Sequence, residues 1–251
     1  MSLSDAGLGS VFRQGPNRLV FDSIAALRDI YQNDSVHKAH VYLVTQNDDK
    51  TVYSIFNAID KRIHATKRRI IGPSLSERYL RRFEPTMLTH INTFLQGVLK
   101  SAQAGEIVDM TPRCKYLGVD IAGHFSFGSS FDMQTKEDNR FIVNGMEAGT
   151  YRSNVYMQYP LVQFLGVELL LLPALYAIRN KYGAVLQKIM KQRLDVGKHT
   201  KDDLFSFVVD TTDPETGTKI TLPELWSEAE FFLPAGKLYA FPISVIVNNQ
   251  N

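Results

Sequence analysis

Apolar positions in this chain recur mostly in steps of three and four, the period of helices that bury one face. Met87, Ile91, Phe94, Leu95 and Val98 form the strongest such run and predict a helix from Pro85 to Gly105. A second stripe, Leu117, Ile121 and Phe125, predicts a helix over about 111–127. Further helices are expected over 136–150, 173–196 and 202–211, with a last one opening at Leu222 or Pro223 and running through Trp226 toward Leu233. Near the start, residues 11–21 read as two short strands around a Gly15-Pro16-Asn17 turn. Asp22 or Ser23 then caps a helix carrying Ile24, Leu27 and Ile30. A short, very basic helix is expected over 63–71, broken by Pro73, with Ser76 capping a further turn through Glu84. Residues 32–51 read as polar loop, and 213–221 as a turn punctuated by Asp213, Pro214 and Gly217. The expected fold is mainly α with a little β.

Composition narrows the function classes. With 251 residues, 44% of them hydrophobic, the chain can bury a sizeable core. Its 28 basic and 26 acidic residues leave a charge of +2, too near neutral to favour nucleic acid. A single cysteine, Cys114, excludes an internal disulfide framework and suits a reducing compartment. The polar start, MSLSDAGLGS, lacks the pattern of a signal peptide. The longest apolar stretch, 160–178, has bilayer-spanning length, but Pro160, Gln163, Glu168 and Pro173 argue for a buried helix or a membrane-surface contact instead.

Most candidate chemistry is thin. His37 and His40 have H-x-x-H spacing without a third ligand, so no metal site is expected there. Asn33-Asp34-Ser35 matches a glycosylation acceptor but lacks a secretory leader to make use of it. There is no phosphate-cradling glycine loop and no G-x-S-x-G elbow. Cys114 falls inside a helical pattern and reads as a core thiol. The sharpest local signal is the basic run 61–69. It reads either as a solvated helix face or as an anion site. Four residues apart on a helix, His64 and Arg68 share a face and suit one carboxylate, with the arginine fork giving the stronger contact.

The string HATKRRIIGPSLSERYLRRFEP, residues 64–85, resembles the C-helix region of fungal, membrane-type cytochrome P-450 monooxygenases. VFRQGPNRLVFDS at 11–23 resembles the paired strands before their helix B. LGVDIAGHFSFG at 117–128 resembles the E helix, with Asp120, Phe127 and Gly128 in place, and LWSEAEFFLPAG at 225–236 resembles the start of the I helix. The resemblance implies a truncated cytochrome P-450 fold, from helix B to the start of helix I, with heme as the cofactor. It implies that His64 and Arg68 contact a heme propionate. It further implies an NADPH-cytochrome reductase as redox partner and a small hydrophobic metabolite as substrate, contacted by 32–51 and 146–173.

Departures from the family pattern set the remaining expectations. Where the family follows the Ala235-Gly236 pair with a small residue, an acid and a threonine that relay protons, this chain has Lys237, Leu238 and Tyr239. The family's Glu-x-x-Arg pair and its heme-ligating cysteine loop have no counterpart, and Cys114 lies in another region. The expected organisation is a polar remnant without a membrane anchor at 1–10, a partial cytochrome P-450 domain at 11–236, and an unrelated tail at 237–251 with the look of translated intron. The expected product is inactive alone, has no catalytic residue, and is cytoplasmic or peripheral on the endoplasmic reticulum. The alternatives are a non-catalytic helical binding or scaffold protein, and a membrane-surface protein using 160–178. Helix faces around Leu95, Ile121 and Leu186 are expected to lack partners, leaving the chain unstable, molten or aggregation-prone when expressed alone.

Overall fold

A computed structural model describes residues 10–46, 49–165, 173–197 and 203–234. The polar start up to residue 9, Glu168, His199, the Ala235-Gly236 pair and the 237–251 tail lie outside the described residues, and so do the expectations placed on them. The chain divides into two compact units, one ending at Ala39 and one beginning at His40.

In the first unit, β1 (Val11–Gly15) and β2 (Arg18–Phe21) pair antiparallel, with Val11 opposite Phe21 and Arg13 opposite Leu19. Helix α1 (Ile24–Tyr31) starts where the Ser23 side chain accepts from the Ala26 amide at 3.2 Å. Both features follow the sequence pattern.

The second unit is helical. A 3-10 turn, His40–Thr45, interrupts the stretch expected to be loop. Helix α2 (Lys61–Ile71) begins ahead of the expected start at 63, because Asp60 accepts from the amides of Arg62 and Ile63 and so caps an earlier first turn. A 3-10 turn at Gly72–Leu75 follows, with Pro73 in its first turn.

Next comes α3 (Glu77–Gln103), one continuous helix where the sequence suggests a break at Pro85. The proline removes one backbone donor, yet packing on both sides of it keeps a single axis. Phe83 lies 5.2 Å from the Phe125 ring, and His90 lies 5.4 Å from the His124 ring, so residues before and after Pro85 rest on the same neighbour.

That neighbour is α4 (Met110–Phe127), capped by Asp109 and ended by Gly128 at φ 61°, a left-handed position suited to glycine. The helix expected from 136 is instead α5 (Phe141–Gln158). The reason is Asp120, whose buried carboxylate accepts from the Met133 and Gln134 amides at 3.0 and 3.1 Å and holds the preceding segment in a turn. Then come α6 (Pro160–Phe164), α7 (Pro173–Asp195), α8 (Leu204–Asp210) and α9, residues 222–234.

The core draws Ile70 from α2, Val119 from α4, Ile142 from α5, Leu186 from α7, Phe205 from α8 and Leu233 from α9. Leu186 is 1% exposed, which corrects the expectation that its face lacks partners; α5, pressed close at Gly145, shares that side of α7. Leu95 stays 54% exposed. No helix among the described residues is long and apolar enough to cross a membrane.

Candidate functional site

The basic run on α2 divides by helical phase into side chains with different fates. Lys67 shares the face of Ile70 and Ile71 and is buried, at 2% exposure. Its ammonium lies 3.0 Å from Glu224 Oε1 and 3.3 Å from Glu228 Oε1, both on α9. Arg69 turns to the 212–219 turn, donating from Nε to Asp213 Oδ1 at 2.7 Å and from Nη2 to Oδ2 at 2.8 Å, with Glu215 at 3.0 Å from Nη1. Arg68 lies between them and is exposed.

Among the described residues, Arg68 has no hydrogen bond or ion pair with another side chain, whereas Lys67 and Arg69 are committed to carboxylates. His64 sits one turn earlier on the same face and is half-buried. The arrangement is therefore an uncommitted planar fork beside an imidazole. That set fits a carboxylate supplied from outside the chain, such as a heme propionate.

The elements that fix α2 were only partly legible. Helix α9 opens with a capping box: the Thr221 amide donates to Glu224 Oε2 at 2.9 Å, and Thr221 Oγ1 accepts from the Glu224 amide. Burial pushes the Glu224 carboxyl up, but the Thr221 amide and the Lys67 ammonium outweigh it and leave Glu224 below the usual range. Glu228, deeper in the core, is raised to about 7, because desolvation exceeds the help from Lys67 and the Ile55 amide. Both Glu228 oxygens lie within reach of that amide, at 2.8 and 3.0 Å. In the same loop Phe56 stacks on Phe231 of α9 at 4.9 Å, and Tyr42 meets Phe56 at 5.1 Å. Asp213 is held well below the carboxylate range by the Arg69 guanidinium.

Sequence reasoning missed Lys67, Glu224 and Glu228. The available signal was phase: Lys67 falls on the apolar side of a basic helix, and Glu228 interrupts the apolar side of the last one.

Other candidates do not join this site. Cys114 is buried in α4, and burial pushes its thiol up, away from the thiolate form. His37 lies in loop and His40 opens the 3-10 turn, and no group of three or more potential metal ligands occurs among the described residues.

No family model matches the chain. It is 29% identical to the cytochrome P-450 monooxygenase poxM of Penicillium oxalicum, over 91% of this chain and 45% of that one. It is 27% identical to a cytochrome P-450 monooxygenase of Gibberella zeae, over 83% of this chain and 49% of the relative. The monooxygenase ataY of Aspergillus terreus is 29% identical, over 82% of this chain and 90% of its own length. Among solved structures, a cytochrome P-450 crystal structure superposes with a TM-score of 0.72 at 17% identity, covering 93% of this chain and 54% of that one. The heme domain of cytochrome P-450 DA gives 0.73 at 15%, covering 99% and 55%.

The helices and the two-stranded sheet thus match the cytochrome P-450 fold over about half of each of those structures. Across most of its length the chain is similar to fungal cytochrome P-450 monooxygenases, and it has the cytochrome P-450 fold. It spans about half the length of the Penicillium and Gibberella relatives.

Proposed function

We propose that this chain supplies the carboxylate-anchoring and substrate-side share of a heme-dependent monooxygenase that inserts oxygen into a small hydrophobic metabolite of secondary metabolism. The observation that carries the reading is Arg68: an exposed guanidinium with no described partner, between two neighbours committed to carboxylates, with His64 on its face. Arg68 grips a heme propionate with its fork and His64 adds an imidazole donor. Bound heme supplies the oxygen activation. The aromatic row Tyr42, Phe56 and Phe231 offers an apolar wall for the substrate. Iron ligation is not assigned to this chain, because Cys114 is buried in α4 as a thiol. The redox partner is an NADPH-cytochrome reductase, and the setting is the cytoplasm or the surface of the endoplasmic reticulum.

Hemin titration followed by Soret absorbance tests this. Arg68→Ala is expected to weaken binding by roughly ten-fold or more, the worth of a charge-assisted bond, while Arg62→Ala, on the same helix, leaves it unchanged. Equal affinity in Arg68→Ala and the parent chain overturns the anchor. The reduced hemin complex under carbon monoxide is expected to lack the red-shifted Soret band of thiolate ligation.

A further inference from the structure

Lys67 is the ammonium of a buried three-member cluster, and its two partners are not equivalent. Glu224 is part-exposed and tied to the Thr221 amide and hydroxyl. Glu228 is 2% exposed and borders a cavity of about 20 Å³ walled by Ile71, Phe127, Phe205, Val208 and Ala229. With both carboxylates ionised, one ammonium faces two negative charges in a nearly dry site. One proton on Glu228 makes the cluster neutral.

That proton also changes the hydrogen bonding. An ionised Glu228 offers two acceptor oxygens to the Ile55 amide, at 2.8 and 3.0 Å, and one of them also lies 3.3 Å from Lys67. A protonated Glu228 turns one oxygen into a donor and leaves Lys67 to Glu224 alone. The charged groups facing Glu228 are Lys67 from α2 and Glu224 from its own helix; the 52–58 loop contributes a backbone amide. The cavity walls contributed by α2, α4 and α8 are uncharged.

We infer that Lys67, Glu224 and Glu228 form a proton-operated latch that sets how firmly α2, with its Arg68 anchor, and the 52–58 loop are held against α9. Three elements meet at one carboxylate: Lys67 is the residue before Arg68, Ile55 precedes the ring that stacks on Phe231, and Glu228 lies three residues before Phe231. Glu228 is thus a positioning residue. It acts on an external carboxylate only through α2. The inference rests on the proposed function for its consequence at Arg68, but the latch itself is observable without heme.

Trp226, the single tryptophan, lies on α9 between Glu224 and Glu228 and is half-buried. Its emission, recorded on the whole chain from pH 5.5 to 8.5, is expected to show a transition centred near neutrality. Glu228→Gln, which keeps the shape and one acceptor for Ile55, is expected to abolish it. Lys67→Met, which removes the cation favouring ionised Glu228, is expected to move the midpoint to higher pH, and Lys67→Arg to restore it toward the parent value. Hydrogen exchange of the Ile55 amide through local opening, corrected for intrinsic rate, is expected to be several-fold slower above the midpoint, where the Ile55 bond to Glu228 is charge-assisted, even as ionisation lowers the stability of the whole fold.

A transition that survives in Glu228→Gln belongs to another group and overturns the latch. So does a flat profile in the parent chain, or a midpoint that falls in Lys67→Met. A parallel hemin titration across the same range separates the two readings. Affinity that follows the Trp226 midpoint supports both. A clear Trp226 transition with no hemin binding at any pH removes the proposed function and leaves the latch standing. Hemin affinity with no pH dependence, beside a clear Trp226 transition, removes the coupling to Arg68.

Discussion

Removing the Asp203 carboxylate should expose how much of this fold depends on one buried ion pair. Asp203 and Arg193 are 0% and 1% exposed in their side chains, with Nε–Oδ2 at 2.5 Å and Nη2–Oδ1 at 3.0 Å. The same carboxylate caps α8, accepting from the Ser206 amide at 2.7 Å. Asp203→Ala therefore removes two things at once. Loss of the cap costs about 1 kcal/mol, and stranding a buried guanidinium costs about 3–5 kcal/mol. Arg193 keeps contacts with the Gly197 carbonyl and the Ser206 hydroxyl, which pulls the sum toward its low end, about 4 kcal/mol. That is a large share of the roughly 5–15 kcal/mol available to a domain.

Urea unfolding followed by far-UV circular dichroism measures it. Asp203→Asn keeps an acceptor for the Ser206 amide and should cost about 1 kcal/mol less than the alanine variant. Adding Arg193→Met to Asp203→Asn removes the stranded charge and should recover much of the loss, since a buried pair replaced by apolar groups is often close to neutral. A cost below about 1 kcal/mol for Asp203→Ala, or no recovery in the double variant, would refute the reasoning.

Three further outcomes are expected. Glu228 has its pKa raised from 4.5 to about 7, so the folded state binds the extra proton between those values and stability falls as pH rises through that window; Glu228→Gln should flatten the dependence and gain up to about 3 kcal/mol at pH 8, at about 1.36 kcal/mol per unit, as read by denaturant midpoints. Gly123→Ala places a methyl 2.6 Å from Cε2 of the buried Phe131 ring and should cost about 1–3 kcal/mol in thermal or urea unfolding. Leu88 and Leu95 are 47% and 54% exposed on α3; changing both to Lys should alter stability by less than about 0.5 kcal/mol each while lowering light scattering on concentration.

Helical periodicity carried most of the architecture, because each long amphipathic segment needs only its own phase to declare a buried face. The cap at Ser23 was equally local. Pro85 shows the limit: a local breaker was overruled by Phe83 and His90 packing on α4, contacts made across long sequence separations. The start of α5 was likewise moved by Asp120, a residue on the preceding helix.

For the site, the sequence by itself determined that residues 63–71 form a cationic helix with His64 and Arg68 in phase, and it carried the family resemblance. Only the tertiary structure decided what each cation does. Lys67, Arg68 and Arg69 are consecutive and chemically alike, yet a step of about 100° per residue sends one into the core, one to solvent and one to a turn. Which carboxylates wait there depends on α9 and the 212–219 turn, about 150 residues away, and no local pattern encodes a meeting made by chain folding.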